Sequence, residues 1–522
     1  MINDFYLVAG LCSATFLNVP QPEKMKKYLL LSILALSLGA CQKDEVLNFQ
    51  NDPQAFAFKE VGSITLGGLG ASEISAFDPT TKKLFVVNNS DINRIDVLDL
   101  KDPSKPVVIG KILMDPYGGY VNSLSVSNGK LAAAIEAKVK QNVGKCVIFN
   151  TSDFSEIKQV TVGALPDMVT FSPDGAFIMT ANEGEPSDDY SNDPEGSVSV
   201  INVAAGYTVK TLNFAGFESY AAILKKKGFR VFGPKATLVK DVEPEYITIS
   251  GDSKTAWVTL QENNAIAKID LNLQVITDVF PLGFKDYGLA NNAFDLSDKD
   301  SKVGFSVNPK VKGMYMPDAI AVLEKDGIPY LFTANEGDSR EYAGFVEMKR
   351  VKDLNLDFNN FPNGALLKTD AVLGRLNVTT TLGDTDGDGD FDELYSLGGR
   401  SMSVWNGLTG AQIYDTQNEV DQRSIAAGLY DDARSDDKGS EPEGIAIGQI
   451  GNRTYAFLGC ERSDALQIYD VTNPKFPSFI MTLKTGDAPE GVLFVPADKS
   501  PNGKPLLIVS SENDGQVKFF SL

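Results

Sequence analysis

The sequence predicts an all-β chain folded as a seven-bladed β-propeller of four-stranded blades with loop insertions. Three observations predict it: a repeated phrase, a strand pattern inside each repeat, and a last repeat short by one strand. The phrase TANEG occurs at Thr180–Gly184 and Thr333–Gly337, and weaker copies recur along the chain. Each copy follows a short strand that opens with Pro and an acid: Leu165–Asp167, Glu243–Glu245, Met316–Asp318, Glu441–Glu443 and Ala488–Glu490. The matching second positions are Glu183, Glu262, Glu336, Glu461 and Glu512, and two degenerate copies place Glu73 with Asn89 and Asn122 with Glu136. Neighbouring units without insertions repeat at roughly 45–50 residues, the range of propeller blades.

Within a unit the pattern is β. The stretch MVTFSPDGAFIMTANE alternates on both sides of a Ser172–Gly175 turn, and Gly196–Val203 supplies a third strand. Alternation around a Pro-Asp-Gly turn is a hairpin signal with a mechanism, because these residues preset the turn dihedrals. YITISGDSKTAWVTL followed by Ala265–Leu271, and GIAIG, YAFLG and Leu466–Val471, repeat the order. The last unit has VLFV, LLIVSS and VKFFSL and then reaches Leu522, so Phe56–Leu66 is expected to complete it and cover an edge open to aggregation.

The chain has 522 residues and a formal net charge of -21. That balance argues against nucleic acid, which needs a basic footprint, and suits solubility, cation binding or a basic partner. There is no histidine, so Ser-His-Asp and Cys-His catalysis, His-ligated zinc and a His-held haem are all ruled out. Hard oxygen-seeking cations remain, because carboxylates and carbonyls are their ligands.

Met25 to Cys41 has a positive start and an apolar middle too short for a comfortable membrane span, and reads as a signal peptide. Leu38-Gly-Ala-Cys41 looks like a bacterial lipobox, with Cys41 lipidated, residues 1–24 upstream of the true start and residues 42–55 a tether. Gln42–Glu45 resembles the acidic surface-export tag of Bacteroidetes lipoproteins; the alternative is a plain flexible tether. The expectation is an outer-membrane lipoprotein, held to the membrane by its lipid alone, either surface-exposed or facing the periplasm. Cys12 precedes the inferred start, while Cys146 and Cys460 fall in different blades and read as buried small hydrophobes.

The sharpest local motif runs from Gly383 to Glu393. Asp384, Asp386, Asp388, Asp390 and Asp392 alternate with other residues, as in the first half of an EF-hand-type loop. The twelfth position is Tyr395 and not a bidentate Glu, so calcium is expected with Glu393 among the remaining oxygen donors. The alternative is a solvated acidic loop. The repeated acids form the second constellation. The entry acids Asp167, Glu245, Asp318, Glu443 and Glu490 should form an inner ring around one channel mouth. Glu136, Glu183, Glu262, Glu336, Glu461 and Glu512 should form the next, with Arg340, Arg400, Arg434 and Arg462 as candidate counter-charges. Such crowding raises carboxylate pKa values unless cations intervene. The ring is read either as strand-end caps or as a cation-lined site. Insertions at 187–195, 215–241, 283–312 and 339–395 sit on unit loops, where specificity commonly resides.

The TANEG phrases, Asp384–Glu393 followed by Leu397–Trp405, and Glu441–Gly444 resemble YVTN-type propellers, and more closely the choice-of-anchor I family, over about Phe56–Leu522. The resemblance implies a secreted or surface protein held by varied anchors, with animal relatives described as mesenchyme-specific cell-surface glycoproteins. It brings no agreed catalytic residues. Some members carry an alkaline phosphatase label, whose familiar metal sites need the histidines this chain lacks. Two functions follow as expectations. One is a calcium-stabilised surface module binding a protein, glycan or phosphorylated ligand. The other is a calcium-dependent phosphohydrolase resembling propeller phytases, with Glu336, Arg340, Glu461 and Arg462 as candidate catalytic residues.

Overall fold

In the computed structural model, which describes residues 57–522, seven four-stranded antiparallel sheets follow one another along the chain. Cys12, the signal segment with Cys41 and the tether lie outside the described residues. Sheet I runs through Ser75–Asp78, Lys83–Asn88, Arg94–Asp99 and Val107–Leu113. Sheets II, III and IV follow over 121–164, 166–213 and 244–281 in the same simple order. Sheet V takes its first two strands from Ile320–Lys325 and Ile328–Asn335 and its last two from Ser401–Asn406 and Gln412–Asp415, across a long insertion. Sheet VI spans 442–484. Sheet VII holds Pro489–Val495, Leu506–Ser511 and Gln516–Ser521, and its outer place is filled by Lys59–Thr65, with Lys59 opposite Ser521 and Thr65 opposite Gln516.

The core is a set of apolar layers between consecutive sheets. Phe85, Val97, Leu131 and Phe149 fill the space between sheets I and II. Phe77, Leu84, Ile508 and Phe519 fill that between sheets VII and I. Phe457 of sheet VI stacks on Phe494 of sheet VII at 5.2 Å and 14°. Each such side chain contributes about 1.5–3 kcal/mol by leaving water. The first strand of each sheet packs against the first strand of the next, and that of sheet I packs against that of sheet VII.

Cys146 and Cys460 are both free and buried, in sheets II and VI. Burial pushes the Cys146 thiol up to about 12, so it is an inert core residue.

Two insertions expected as separate loops fold together. Val311–Met314 pairs antiparallel with Phe284–Asp286 and parallel with Leu394–Ser396. Tyr287, Phe294, Val351, Leu354, Phe361, Leu376 and Val378 form their shared core. A buried Arg230–Glu347 ion pair ties this unit to the segment before sheet IV.

Candidate functional site: an acidic mouth

The acid ring has a backbone cause. In sheets II, III, IV, VI and VII the register between the first two strands shifts at the entry position, skipping Asn122, Asp167, Glu245, Glu443 and Glu490. A bulge of this kind re-aims one side chain out of the sheet. In four units the residue before the proline is left-handed: Leu165 (φ 46°), Met316 (φ 44°), Glu441 (φ 51°) and Ala488 (φ 56°). A bulky residue ahead of proline strongly resists that conformation, at a cost of about 1–3 kcal/mol each. The return is a second acid fixed beside the first. The amides of Glu183, Glu461 and Glu512 donate to the carbonyls of Leu165, Glu441 and Ala488, each at 2.9 Å.

The result is a cavity of about 960 Å³ lined by fifteen Asp and Glu and four Arg and Lys side chains, so the basic groups cannot neutralise it. All five entry acids line it, as do Glu183, Glu262, Glu336 and Glu461. Two expected members do not. Glu136 instead accepts from the Tyr120 amide (3.3 Å), and Glu512 acts on Glu73 and Glu490 through its charge. The degenerate first unit does contribute: Glu73 lines the mouth and accepts from Asn89 Nδ2 (3.1 Å).

Ion pairs reach only part of the mouth: Arg340 holds Glu243 (2.9 Å), Lys140 holds Glu185, and a third group centres on Lys438. Lys438 Nζ lies 2.7 Å from Glu336 Oε1 and 3.3 Å from Glu441 Oε2. Arg434 pairs with Glu441 (2.7 Å) and Asp437 (2.9 Å), and Arg462 with Glu461 (2.8 Å). Burial opposes ionisation of Glu336, yet Lys438 and the Gln261 amide (2.9 Å) hold it below its ordinary value. By contrast, Glu245, Asp318, Glu443 and Glu490 form no ion pair with a basic side chain among the described residues. Buried Oε2 atoms of Glu245 and Glu443 have no hydrogen-bond partner. Burial first, and neighbouring carboxylates second, push all four well above the carboxylate range.

Two groups of three carboxylates have oxygens within 4.8 Å of one another here: Asp318, Glu336 and Glu443, and Glu336, Glu441 and Glu461. Lys438, Arg434 and Arg462 already fill the second. Among the described residues, the first contacts a basic side chain only through Glu336.

The four candidate arginines separate. Arg340 lines the cavity but is 3% exposed and fully engaged, donating to Asp241 Oδ1 (2.6 Å), the Asp241 carbonyl (2.7 Å) and Glu243 Oε2 (3.1 Å). Arg400 is buried away from the mouth, over the Phe294 ring at 4.3 Å. Only Arg434 and Arg462 remain at the rim.

In the acidic loop, Asp384, Asp386 and Asp392 bring oxygens within 4.8 Å, and so do Asp357, Asp390 and Asp392. Asp384 accepts from the amides of Gly387 (2.7 Å) and Gly389 (3.1 Å), and Asp388 accepts from that of Asp390 (3.1 Å). Glu393 points elsewhere: Lys312 (2.8 Å) and the Tyr395 hydroxyl (2.7 Å) bind its carboxylate. Asp357 comes from outside the loop, brought in by the parallel bridge Leu356–Phe391. Sequence reasoning missed Asp357, Lys438, Glu185 and Asp338. A signal existed for the last two, since both TANEG phrases are followed at once by an acid.

Comparison with known proteins places this geometry among relatives. Residues 73–474 match the model of the choice-of-anchor I domain. Gigasin-3a of Magallana gigas is 33% identical over 188 residues, covering 30% of this chain and 66% of that protein. The mesenchyme-specific cell surface glycoprotein of Strongylocentrotus purpuratus is 25% identical over 319 residues, covering 51% and 40%. The chain thus spans less than two thirds of the length of these relatives. Among solved structures, Kuenenia stuttgartiensis hydrazine synthase aligns with TM-score 0.47 at 13% identity, covering 87% of this chain and 96% of that one. The β-propeller domain of Myceliophteria thermophila Cps50 (Swd1) aligns with TM-score 0.45 at 10% identity, covering 89% and 100%. A match over 402 of 522 residues decides the family: this chain belongs to the choice-of-anchor I family.

Proposed function

We propose that this protein is a surface-anchored, calcium-stabilised seven-bladed propeller whose acidic mouth binds a ligand or partner through divalent cations. The seven sheets and the cyclic packing of their first strands support the ring. The family and the cell-surface relative support the location, and Cys41 is the proposed lipid anchor. The observation that carries the reading is the uncompensated arc of Glu245, Asp318, Glu443 and Glu490. Carboxylates this crowded are stable together only when protonated or bound to a cation. The test is calorimetric titration of residues 56–522 with calcium, for the native protein and for Asp318→Asn and Glu443→Gln. Equal heats and stoichiometry in all three sink the mouth as a cation site.

One observation favours a second reading, calcium-dependent phosphoester hydrolysis. Glu336 belongs to both carboxylate groups, and Lys438 and Arg462 stand beside it, which joins a place for a Lewis-acidic ion to groups that attract phosphate. Hydrolysis of phytate and a simple phosphomonoester, with calcium and then with chelator, tests it. Turnover that needs calcium and disappears in Glu336→Gln establishes an enzyme; no turnover by folded, calcium-loaded protein leaves the binding module.

A further inference from the structure

Sheet VII receives its N-terminal strand from the end opposite the acidic mouth. Pro489, beside the mouth acid Glu490, stands in a row with Ser511, Gln516 and Thr65. The row at the other end is Val495, Leu506, Ser521 and Lys59. A seven-residue strand, Pro489–Val495, separates the two rows, a depth of about 20 Å. Lys59–Thr65 therefore runs toward the mouth, and the chain comes in from the far face. Phe58, just before it, is 2% exposed and meets the Phe457 ring of sheet VI edge-on at 5.9 Å.

The far face exposes apolar side chains at one repeated place, the turn between the third and fourth strands. Leu273 in sheet IV (66% exposed), Leu408 in sheet V (51%) and Phe476 in sheet VI (73%) occupy that turn. One exposed leucine needs no explanation. The same place in three consecutive sheets, leading round to the sheet where the chain enters, does. Charge separates the two faces as well. The mouth holds fifteen acids against four basic groups. The far turns pair theirs locally: Lys101 with Asp99 (2.9 Å), Lys254 with Asp252 (3.3 Å) and Arg453 with Asp470 (2.7 Å). A negatively charged bilayer surface repels the first face and tolerates the second.

We propose that the far face is a membrane-docking surface. Its tips Leu273, Leu408 and Phe476 enter the headgroup region of a lipid bilayer and hold the mouth pointing away from it. This rests on the anchoring through Cys41 proposed above. Residues 42–57 can extend to about 55 Å, more than the depth of the sheet, so their length alone does not orient the propeller. The tips orient it by burying apolar surface at the interface. The mouth then takes its ligand from the surrounding medium or an apposed surface, and not from the headgroups of the membrane it stands on.

The test places the full-length lipidated protein in vesicles whose acyl chains carry bromine, a short-range quencher. A fluorophore goes on Lys475→Cys, exposed beside Phe476 on the far face, or on Leu69→Cys, 65% exposed at the mouth. Cys146 and Cys460 are buried and do not take the label. The proposal expects loss of fluorescence at position 475 and none at position 69. Combining Leu273→Ser, Leu408→Ser and Phe476→Ser should abolish that difference while the protein still floats with the vesicles, with circular dichroism to check its fold. If the triple variant does not fold, the two labels in the otherwise native protein still decide. Equal loss at both labels, greater loss at the mouth, or a difference that survives the folded triple variant overturns the docking surface and leaves the tips to a protein partner. Flotation reports the anchor separately: protein that stays out of the vesicle fraction overturns the anchor, and the docking surface with it.

Discussion

Replacing Arg340 by methionine tests whether this side chain is structural or available for chemistry. The guanidinium is 3% exposed, stacks on the Phe232 ring at 4.5 Å and serves two buried anions. Asp241 keeps the amides of Phe232 and Gly233, each at 2.8 Å, when the arginine is gone. Glu243 loses both of its guanidinium contacts, at 3.1 and 2.9 Å. Removing one partner of a buried ion pair costs about 3–5 kcal/mol. Burial pushes Glu243 up to about 7 even with Arg340 beside it; losing the arginine raises it further, so Glu243 takes a proton more readily and the cost is smaller at pH 6 than at pH 8. Unfolding entropy for about 465 residues is about 1 kcal/mol per kelvin, so cooperative unfolding predicts a Tm drop of about 3–5 K at pH 8. Adding Glu243→Gln should recover part of it, because the stranded charge goes too. The assay is calorimetry and urea unfolding in chelator at pH 6 and pH 8. A cost below about 1 kcal/mol, the level of an exposed pair, refutes the reasoning, as does a double variant no more stable than the single.

Other outcomes follow from the same geometry. Glu73 and Glu461 are pushed up to about 8 and Asp167 to about 6, by burial first and neighbouring carboxylates second. A carboxylate with a raised folded pKa contributes stability that is complete below its unfolded value near 4 and is lost as pH rises through the folded value. Urea midpoints in chelator should therefore fall between pH 4 and pH 8, and added calcium should flatten the slope. Glu443→Gln should stabilise the chelated protein by roughly 1 kcal/mol, by removing one repelled charge, and should lower the calcium heat in titration. Gly337→Ala should cost more than about 2 kcal/mol in urea unfolding: φ is +93°, and a Cβ would stand 2.1 Å from the Gly398 amide nitrogen. Asp384→Ala with Asp386→Ala should remove one calcium ion by mass spectrometry and leave the mouth's binding unchanged.

Much of this was legible because repetition makes weak signals add. The Pro-acid openings and the alternating strands around Ser172–Gly175 mark the first two strands of a sheet, and the acids at their ends line one cavity. What repetition cannot encode is what the insertions do. Lys438 and Arg434 lie in a non-repeating segment after the helix Glu419–Ala427, so no period points to them. Asp357 reaches the acidic loop only through a tertiary bridge. Glu393 looked like a ligand by spacing, but the nearby Lys312 offers it a stronger partner. Arg340 follows TANEG as closely as a functional residue would, and only burial reveals that Asp241 and Glu243 consume it.

The strand Lys59–Thr65 has one further consequence. Its partner, Gln516–Ser521, lies about 460 residues downstream, and contacts so remote in sequence form slowly because so much chain must first be brought together. During synthesis Lys59–Thr65 waits, unpaired, until Gln516–Ser521 has been made. A chain halted before Gln516 keeps Lys59–Thr65 as an unpaired edge, the kind of strand that pairs with the edge of another copy.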